Sequence, residues 1–169
     1  MLKKMVRTAV LTALAVVLTR CLPTSAAVAL FGLSPLTVRF SFGLIAVYLC
    51  ALVCGAPYGA ACAALADFIG YLINPMGGAY FFPMTLTAAL GGGLCGLIAG
   101  RKGTLWRSFV AIPSAALLTN FLNTFLIAAL YDLDPWKILP ARLASAAIMS
   151  ALYLVVIPLR RLIEKNTGL

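Results

Sequence analysis

The sequence has 169 residues, of which 63% are hydrophobic and 10% are charged, and its formal net charge is +9. A soluble domain of this size cannot cover so much apolar surface with polar residues, so the composition excludes an ordinary soluble globular protein. The basic residues lie at the ends of apolar segments and not along one polar face, which argues against a nucleic-acid-binding protein.

Long apolar segments follow one another along the whole chain. A membrane-spanning helix needs roughly 20 mostly apolar residues. Six such segments use nearly all of the sequence, so we predict an all-α integral membrane protein with a single domain over residues 1–169. The predicted helices cover approximately residues 5–22, 36–54, 57–73, 83–100, 106–130 and 138–159.

The distribution of Lys and Arg predicts the orientation in the membrane. Six helices place both termini on one side, and that side then carries nine basic residues against four on the other. The four are Arg20, Arg39, Lys137 and Arg142. Because cytoplasmic loops are enriched in basic residues, we expect both termini to be cytoplasmic.

Small residues recur at every fourth position in several predicted helices. They are Ala9 and Ala13 in the first helix, Gly59 and Ala63 in the third, and Ala88, Gly92, Gly96 and Gly100 in the fourth. Such stripes let helices approach closely in lipid. Packing within the bundle explains most of them, whereas Ala9 and Ala13 equally suit contact with an outside partner.

Polar side chains of the predicted helices converge near the outer side of the membrane. Asp67 lies about 9 Å from the outer end of the third helix, at 1.5 Å per residue. The others near this level are Arg20, Arg39, Thr85, Thr87, Asn120, Asn123 and Arg142. Residues 59–66 and 89–99, by contrast, contain no charged, amide or hydroxyl side chain.

This asymmetry predicts a pocket that is open to the outside and has an apolar floor. A channel or a self-sufficient carrier would need polar groups along a path through the membrane. The chain also has no G-x-x-x-x-G-K-[ST] phosphate loop, so another protein would have to supply the energy for transport.

Each polar residue has a structural alternative. Asp67 is either a ligand-binding carboxylate or the buried partner of an arginine. Asn120 and Asn123 either contact a ligand or form hydrogen bonds between helices. Arg20 and Arg39 either serve the pocket or extend to lipid headgroups.

An aromatic loop follows the third predicted helix. Tyr80, Phe81 and Phe82 lie between Gly77-Gly78 and Pro83. Aromatic residues are enriched at membrane interfaces, which is one explanation. The flanking glycines and proline favour the other, a shaped lid over the pocket.

Part of the chain resembles the folate-type substrate-binding (S) components of energy-coupling factor (ECF) vitamin transporters. Residues 64–72, with Asp67, the loop 74–83, and residues 85–90 carry the resemblance. Residues 39–43 and the turn at 55–59 are similar too, so the likeness is strongest between residues 39 and 100.

The resemblance implies a six-helix protein of a prokaryotic plasma membrane that binds a vitamin from the extracellular side with high affinity. It implies docking on a transmembrane coupling subunit that two cytoplasmic ATPase subunits drive. Ala9 and Ala13 match the Ala-x-x-x-Ala motif that contacts the coupling subunit in this family. The loops after the first and third helices act as gates, which here implicates Gly77, Gly78, Ala79, Phe82 and Pro83.

Folate chemistry suits the available residues, and no further cofactor is expected. The amino-pyrimidine edge of a pterin can hydrogen-bond to Asp67, Asn120 or Asn123, near Thr85. Tyr80 and Phe81 could stack on the ring. Arg39 and Arg142 could pair with the anionic glutamate tail.

Other functions remain open from the sequence. The nearest alternative is the same scaffold with another ligand: a queuosine precursor, riboflavin or pantothenate. A small membrane enzyme is disfavoured because the chain has no histidine and no intramembrane nucleophile–base pair. We therefore expect no catalytic residues.

The five cysteines form no Cys-x-x-Cys pair, so we expect no metal site either. A purely structural helix bundle would not need a row of polar residues at one depth.

Overall fold

The computed structural model describes residues 2–20, 42–73, 80–100, 105–132 and 134–167, and these residues form helices without a strand. The helices are α1 (Leu2–Arg20), α2 (Gly43–Cys54), α3 (Ala56–Ile73), α4 (Phe82–Ala99), α5 (Leu105–Tyr131), α6 (Pro135–Tyr153) and α7 (Val156–Thr167). The predicted all-α class is therefore confirmed.

Four stretches of the described chain are long and apolar enough to cross a membrane. They are Ala56–Ile73, Phe82–Ala99, Trp106–Tyr131 and Pro135–Leu162, and the apolar helix α2 is shorter. Helices suit such sequences because every backbone N–H and C=O is satisfied within its own segment, where lipid offers no partner.

The last predicted helix, 138–159, is observed as two helices. At the break, the N–H of Val155 donates to the carbonyl of Leu152, three residues back instead of four. Pro158 explains the break, because its ring would clash with the carbonyl of Leu154 and it has no N–H to continue the α-helical pattern.

Successive helices pack as antiparallel neighbours, with α3 on α4, α4 on α5 and α5 on α6, while α1 packs on α2 and α3. The backbones of α3 and α4 approach each other closely. A Cβ built on Gly92 would lie 2.4 Å from the carbonyl oxygen of Gly59, and one built on Gly96 would lie 2.5 Å from Ala56 Cα. The close packing predicted from the small-residue stripes of these helices is confirmed.

Helix α2 lies at the centre of the bundle. Its residues contribute to both apolar clusters, one shared with α1 and α3 and the other with α4, α5, α6 and α7. In the second cluster the rings of Tyr48 and Tyr153 meet edge to face, with centroids 5.4 Å apart. Burial on all sides explains why the α2 sequence has no polar face.

Candidate binding site

A chain of hydrogen bonds joins Asp67 of α3 to the end of the aromatic loop. The hydroxyl of Thr85, in the first turn of α4, donates to Asp67 Oδ2 at 2.6 Å. The Tyr80 hydroxyl lies 2.7 Å from the same Thr85 oxygen. Because a threonine hydroxyl has only one hydrogen and Thr85 donates it to Asp67, the Tyr80 hydroxyl is the donor to Thr85.

The ring of Tyr80 is packed against the last turns of α3. Its centroid lies 5.6 Å from that of Phe68 and 5.1 Å from that of Tyr71. These edge and tilted contacts are favourable aromatic geometries. Together with the hydrogen bond to Thr85, they hold the last residues of the loop beside Asp67.

A second polar contact joins α4 to α5. The Thr87 hydroxyl lies within hydrogen-bond distance of the Asn123 amide oxygen and 2.8 Å from the Met84 carbonyl oxygen. Asn120, one turn before Asn123, donates from Nδ2 to the Ala116 carbonyl at 2.9 Å on its own helix. An interhelical hydrogen bond, one of the two alternatives for these residues, is thus present for Asn123, whereas the hydrogen bond of Asn120 to Ala116 stays within α5.

The two polar contacts flank one face of α4. Thr85 and Thr87 are about 200° apart around the helix, since successive residues are about 100° apart. Met84 and Ala88 lie on the face between them, whereas Leu86, which is 52% exposed, lies on the opposite face. A ligand beside Met84 and Ala88 would therefore have Asp67 on one side and Asn123 on the other.

The side chains at this end differ in their access to solvent. Thr85 and Thr87 are buried, whereas Asp67, Tyr80, Phe81, Asn120 and Asn123 are half-buried. The buried hydroxyls can position their partners, and the half-buried residues can still meet a ligand. Within the described residues, Oδ1 of Asp67 accepts no hydrogen bond, which leaves it available as an acceptor.

Arg20 is brought to the same end by α1. A Cβ built on Gly70 would lie 2.8 Å from Arg20 Nε and 3.4 Å from its central guanidinium carbon. The guanidinium therefore packs directly on the backbone of α3, one turn beyond Asp67. From the sequence, Arg20 either served the pocket or extended to lipid headgroups, and its depth in the membrane was the only signal for the pocket.

The remaining predicted residues are only partly among the residues that the structure describes. Arg142 is half-buried on α6. Phe82 and Pro83, assigned to the gating loop, are instead the first two residues of α4. Proline suits this position because the first N–H groups of a helix need no partner within it. Arg39, Gly77, Gly78 and Ala79 lie outside the described residues.

Ala9 and Ala13, the residues predicted to contact a coupling subunit, are both exposed on α1. The neighbouring exposed residues include Met5, Val6 and Val10, each more than half exposed. The adjoining face of α1, with Thr8 and Thr12, is buried against the bundle. The bundle therefore leaves the small-residue stripe of α1 uncovered.

A polar cleft of about 300 Å³ lies at the start of α6, lined by Asp132, Asp134, Lys137 and Ile138. Lys137 Nζ lies 2.6 Å from Asp134 Oδ2. This hydrogen bond and the lysine charge lower the pKa of the Asp134 carboxyl below its usual value.

Among the described residues, no group of three His, Cys, Asp or Glu side chains is arranged to hold a metal ion.

The fold and site define a polytopic helical membrane protein with polar residues gathered at one end of its bundle. The model of the family described as ECF transporter, substrate-specific component, matches residues 3–159. The chain belongs to this family, whose members are the substrate-binding components of transporters and not enzymes. A comparison with curated proteins found no match.

Proposed function

We propose that this protein is the vitamin-binding subunit of an ECF-type ABC importer of a prokaryotic plasma membrane, and that its ligand is folate. It would bind folate from the extracellular side and deliver it through a transmembrane coupling subunit with two cytoplasmic ATPase subunits. Family membership supports the transporter role, and the residues around Asp67 support the choice of ligand.

The observation that carries the proposal is the half-buried Asp67 carboxylate with aromatic rings beside it. Thr85 occupies Oδ2 and leaves Oδ1 to accept a hydrogen bond from a ligand. A carboxylate oxygen accepts hydrogen bonds, so we expect the ligand to present N–H or O–H donors. The amino-pyrimidine edge of a pterin presents such donors, and Tyr80 and Phe81 offer aromatic surface to its ring.

The basic residues support an anionic ligand. Arg20 lies one turn beyond Asp67 on the surface of α3, and Arg142 is half-buried on α6. We assign Arg142 and Arg39 to the glutamate tail of folate, with Arg20 as a further cation at this end of the bundle. Arg can bind a carboxylate through two parallel hydrogen bonds.

The test is folate binding to the purified protein, measured by calorimetry with riboflavin, pantothenate and a queuosine precursor as competing candidates. We expect tight, near-stoichiometric binding of folate without ATP. Asp67→Asn should weaken it roughly 10- to 100-fold, since hydrogen bonds to charged groups contribute about 1.5–3 kcal/mol. The matched control is Asp134→Asn, which removes an exposed acid in contact with Lys137 and should leave affinity unchanged.

Two outcomes would contradict parts of this proposal. If folate fails to bind folded protein while another vitamin binds, the family assignment stands and folate is wrong. If Asp67→Asn binds folate as tightly as the unchanged protein does, Asp67 does not contact the ligand.

A further inference from the structure

A second cleft lies at the opposite end of the bundle from Asp67. Its volume is about 240 Å³, and it is bounded by Phe109 of α5 and by residues around the break between α6 and α7. These residues are Leu154, Ile157, Pro158 and Arg161. Their spacing of i, i+3, i+4 and i+7 places them on one face of a helix. Among the described residues that line the cleft, all are apolar except Arg161.

The way α7 packs against α5 determines the position of Arg161. Arg160 is only 6% exposed and donates to the fully buried Ser108 hydroxyl at 3.1 Å. Val156 and Ile157 are buried on the same side of α7. With Arg160 directed inward, Arg161 is turned by about 100° and is exposed at the mouth of the cleft.

The surroundings of the cleft match the level where lipid headgroups meet hydrocarbon. Val155 and Leu159, beside the cleft, are 52% and 40% exposed, as expected for residues that face acyl chains. The same end of the bundle carries the basic N-terminal turns of α1. By the positive-inside bias, this is the cytoplasmic leaflet, which is rich in anionic lipids.

We propose that this cleft binds one anionic glycerophospholipid of the cytoplasmic leaflet. An acyl chain lies against Phe109, Leu154 and Pro158, and the phosphate is held by Arg161. An arginine can bind phosphate through two hydrogen bonds, and basic pockets between membrane helices suit anionic headgroups. The proposal depends on the predicted orientation and is independent of which vitamin is bound.

The test compares lipids that differ only in their headgroup. The delipidated full-length protein is titrated with phosphatidylglycerol or phosphatidylcholine of the same acyl chains, and bound lipid is counted by native mass spectrometry. We expect about a fivefold preference for phosphatidylglycerol, in line with the contribution of one basic residue near an anionic surface. Arg161→Gln should abolish the preference while leaving the weaker binding of both lipids.

The matched control is Arg107→Gln. Arg107 is exposed in the first turn of α5, lies near Gly100 and does not line the cleft. The control should keep the preference, and Arg161→Lys should keep part of it. Equal binding of the two lipids by the unchanged protein would overturn the proposal, as would equal losses in the two Gln variants.

A photocrosslinking amino acid at position 109 tests the alternative occupant. In membranes that contain the complete transporter, crosslinks to lipid are expected. Crosslinks to the coupling subunit instead would overturn the lipid assignment. Vitamin affinity, measured on the same Arg161→Gln protein, should be unchanged, so a failure of the lipid proposal is distinguishable from a failure of the proposed transport function.

Discussion

At the scale of single residues, the hydrogen bonds from Tyr80 through Thr85 to Asp67 form a unit whose members act together. Thr85 connects the other two, so its loss removes both contacts at once. The unit ties the end of the aromatic loop to the carboxylate that we assign to the ligand. Such networks are best resolved by pairs of substitutions.

Thr85→Val and Tyr80→Phe should each weaken folate binding about 3- to 10-fold, because one hydrogen bond contributes roughly 1 kcal/mol. The double variant should be little worse than Thr85→Val alone, since Tyr80 reaches Asp67 only through Thr85. Calorimetric titration of the three variants measures this non-additivity. Fully additive losses would show that Tyr80 acts independently of Thr85.

Gly70→Ala tests the position of Arg20. The added methyl group would meet the end of the Arg20 side chain, so the guanidinium must move while the backbone can stay. We expect a small change in thermal stability and weaker binding of folate. Pteroate, which lacks the glutamate tail, should bind as before. An equal loss for both ligands would place Arg20 away from the tail.

Sequence reasoning predicted part of this site. Asp67, Thr85 and Asn123 were placed together because their depths in the predicted helices agree, and the structure brings Asp67 to Thr85 and Asn123 to Thr87. The contact between Arg20 and Gly70 could not be predicted, since it depends on how α1 is rotated against α3. Hydrophobic patterning does not determine that rotation when a helix is apolar on most sides.

At the scale of the helices, the contact between Gly59 and Gly92 joins two backbones directly. Gly92→Ala would place a methyl group 2.4 Å from a carbonyl oxygen that cannot rotate away. We expect a loss of about 2 kcal/mol in stability, typical of overpacking, measured as a fall in the thermal midpoint in detergent.

The neighbouring Gly93 supplies the control for this prediction. A Cβ on Gly93 would meet only the Ala60 side chain at 3.4 Å, so Gly93→Ala should leave the thermal midpoint nearly unchanged. Both substitutions have the same effect on helix propensity. A similar loss in both variants would mean that the backbone contact is not what stabilises α3 against α4.

The helices themselves were largely predictable, and their interruptions less so. Apolar segments bounded by Gly55 and Pro57 marked the turn between α2 and α3 correctly. The break before Pro158 was missed because the surrounding residues are continuously apolar, and a proline within an apolar run can either kink a membrane helix or end it. Hydropathy alone does not distinguish these two outcomes.

At the scale of the whole molecule, the exposed stripe of α1, which we assign to the coupling subunit, lies away from the residues around Asp67. Ala9→Leu with Ala13→Leu should abolish association with the coupling subunit, because larger side chains prevent close helix contact. Folate binding by the isolated subunit should be unchanged. Copurification with the coupling subunit and calorimetry on the same protein measure the two properties.

Ala147→Leu is the control for bulk on an exposed surface. Ala147 is exposed on α6, away from the α1 stripe, so its substitution should leave complex formation intact. Loss of association in this variant as well would indicate that added bulk anywhere on the lipid-facing surface disturbs assembly. The stripe on α1 would then have no special role.

Helix α1 extends from this stripe to Arg20, so a single rigid element of 19 residues touches both the proposed partner and the proposed ligand site. Any tilt of α1 that docking imposes must move Arg20 relative to Gly70. The two binding equilibria are then thermodynamically linked, and linkage is reciprocal. If the bound vitamin changes the affinity for the coupling subunit by some factor, docking on the coupling subunit changes the affinity for the vitamin by the same factor. A subunit that docks more tightly when empty would, by the same relation, bind its vitamin less tightly once docked, which is the condition for release.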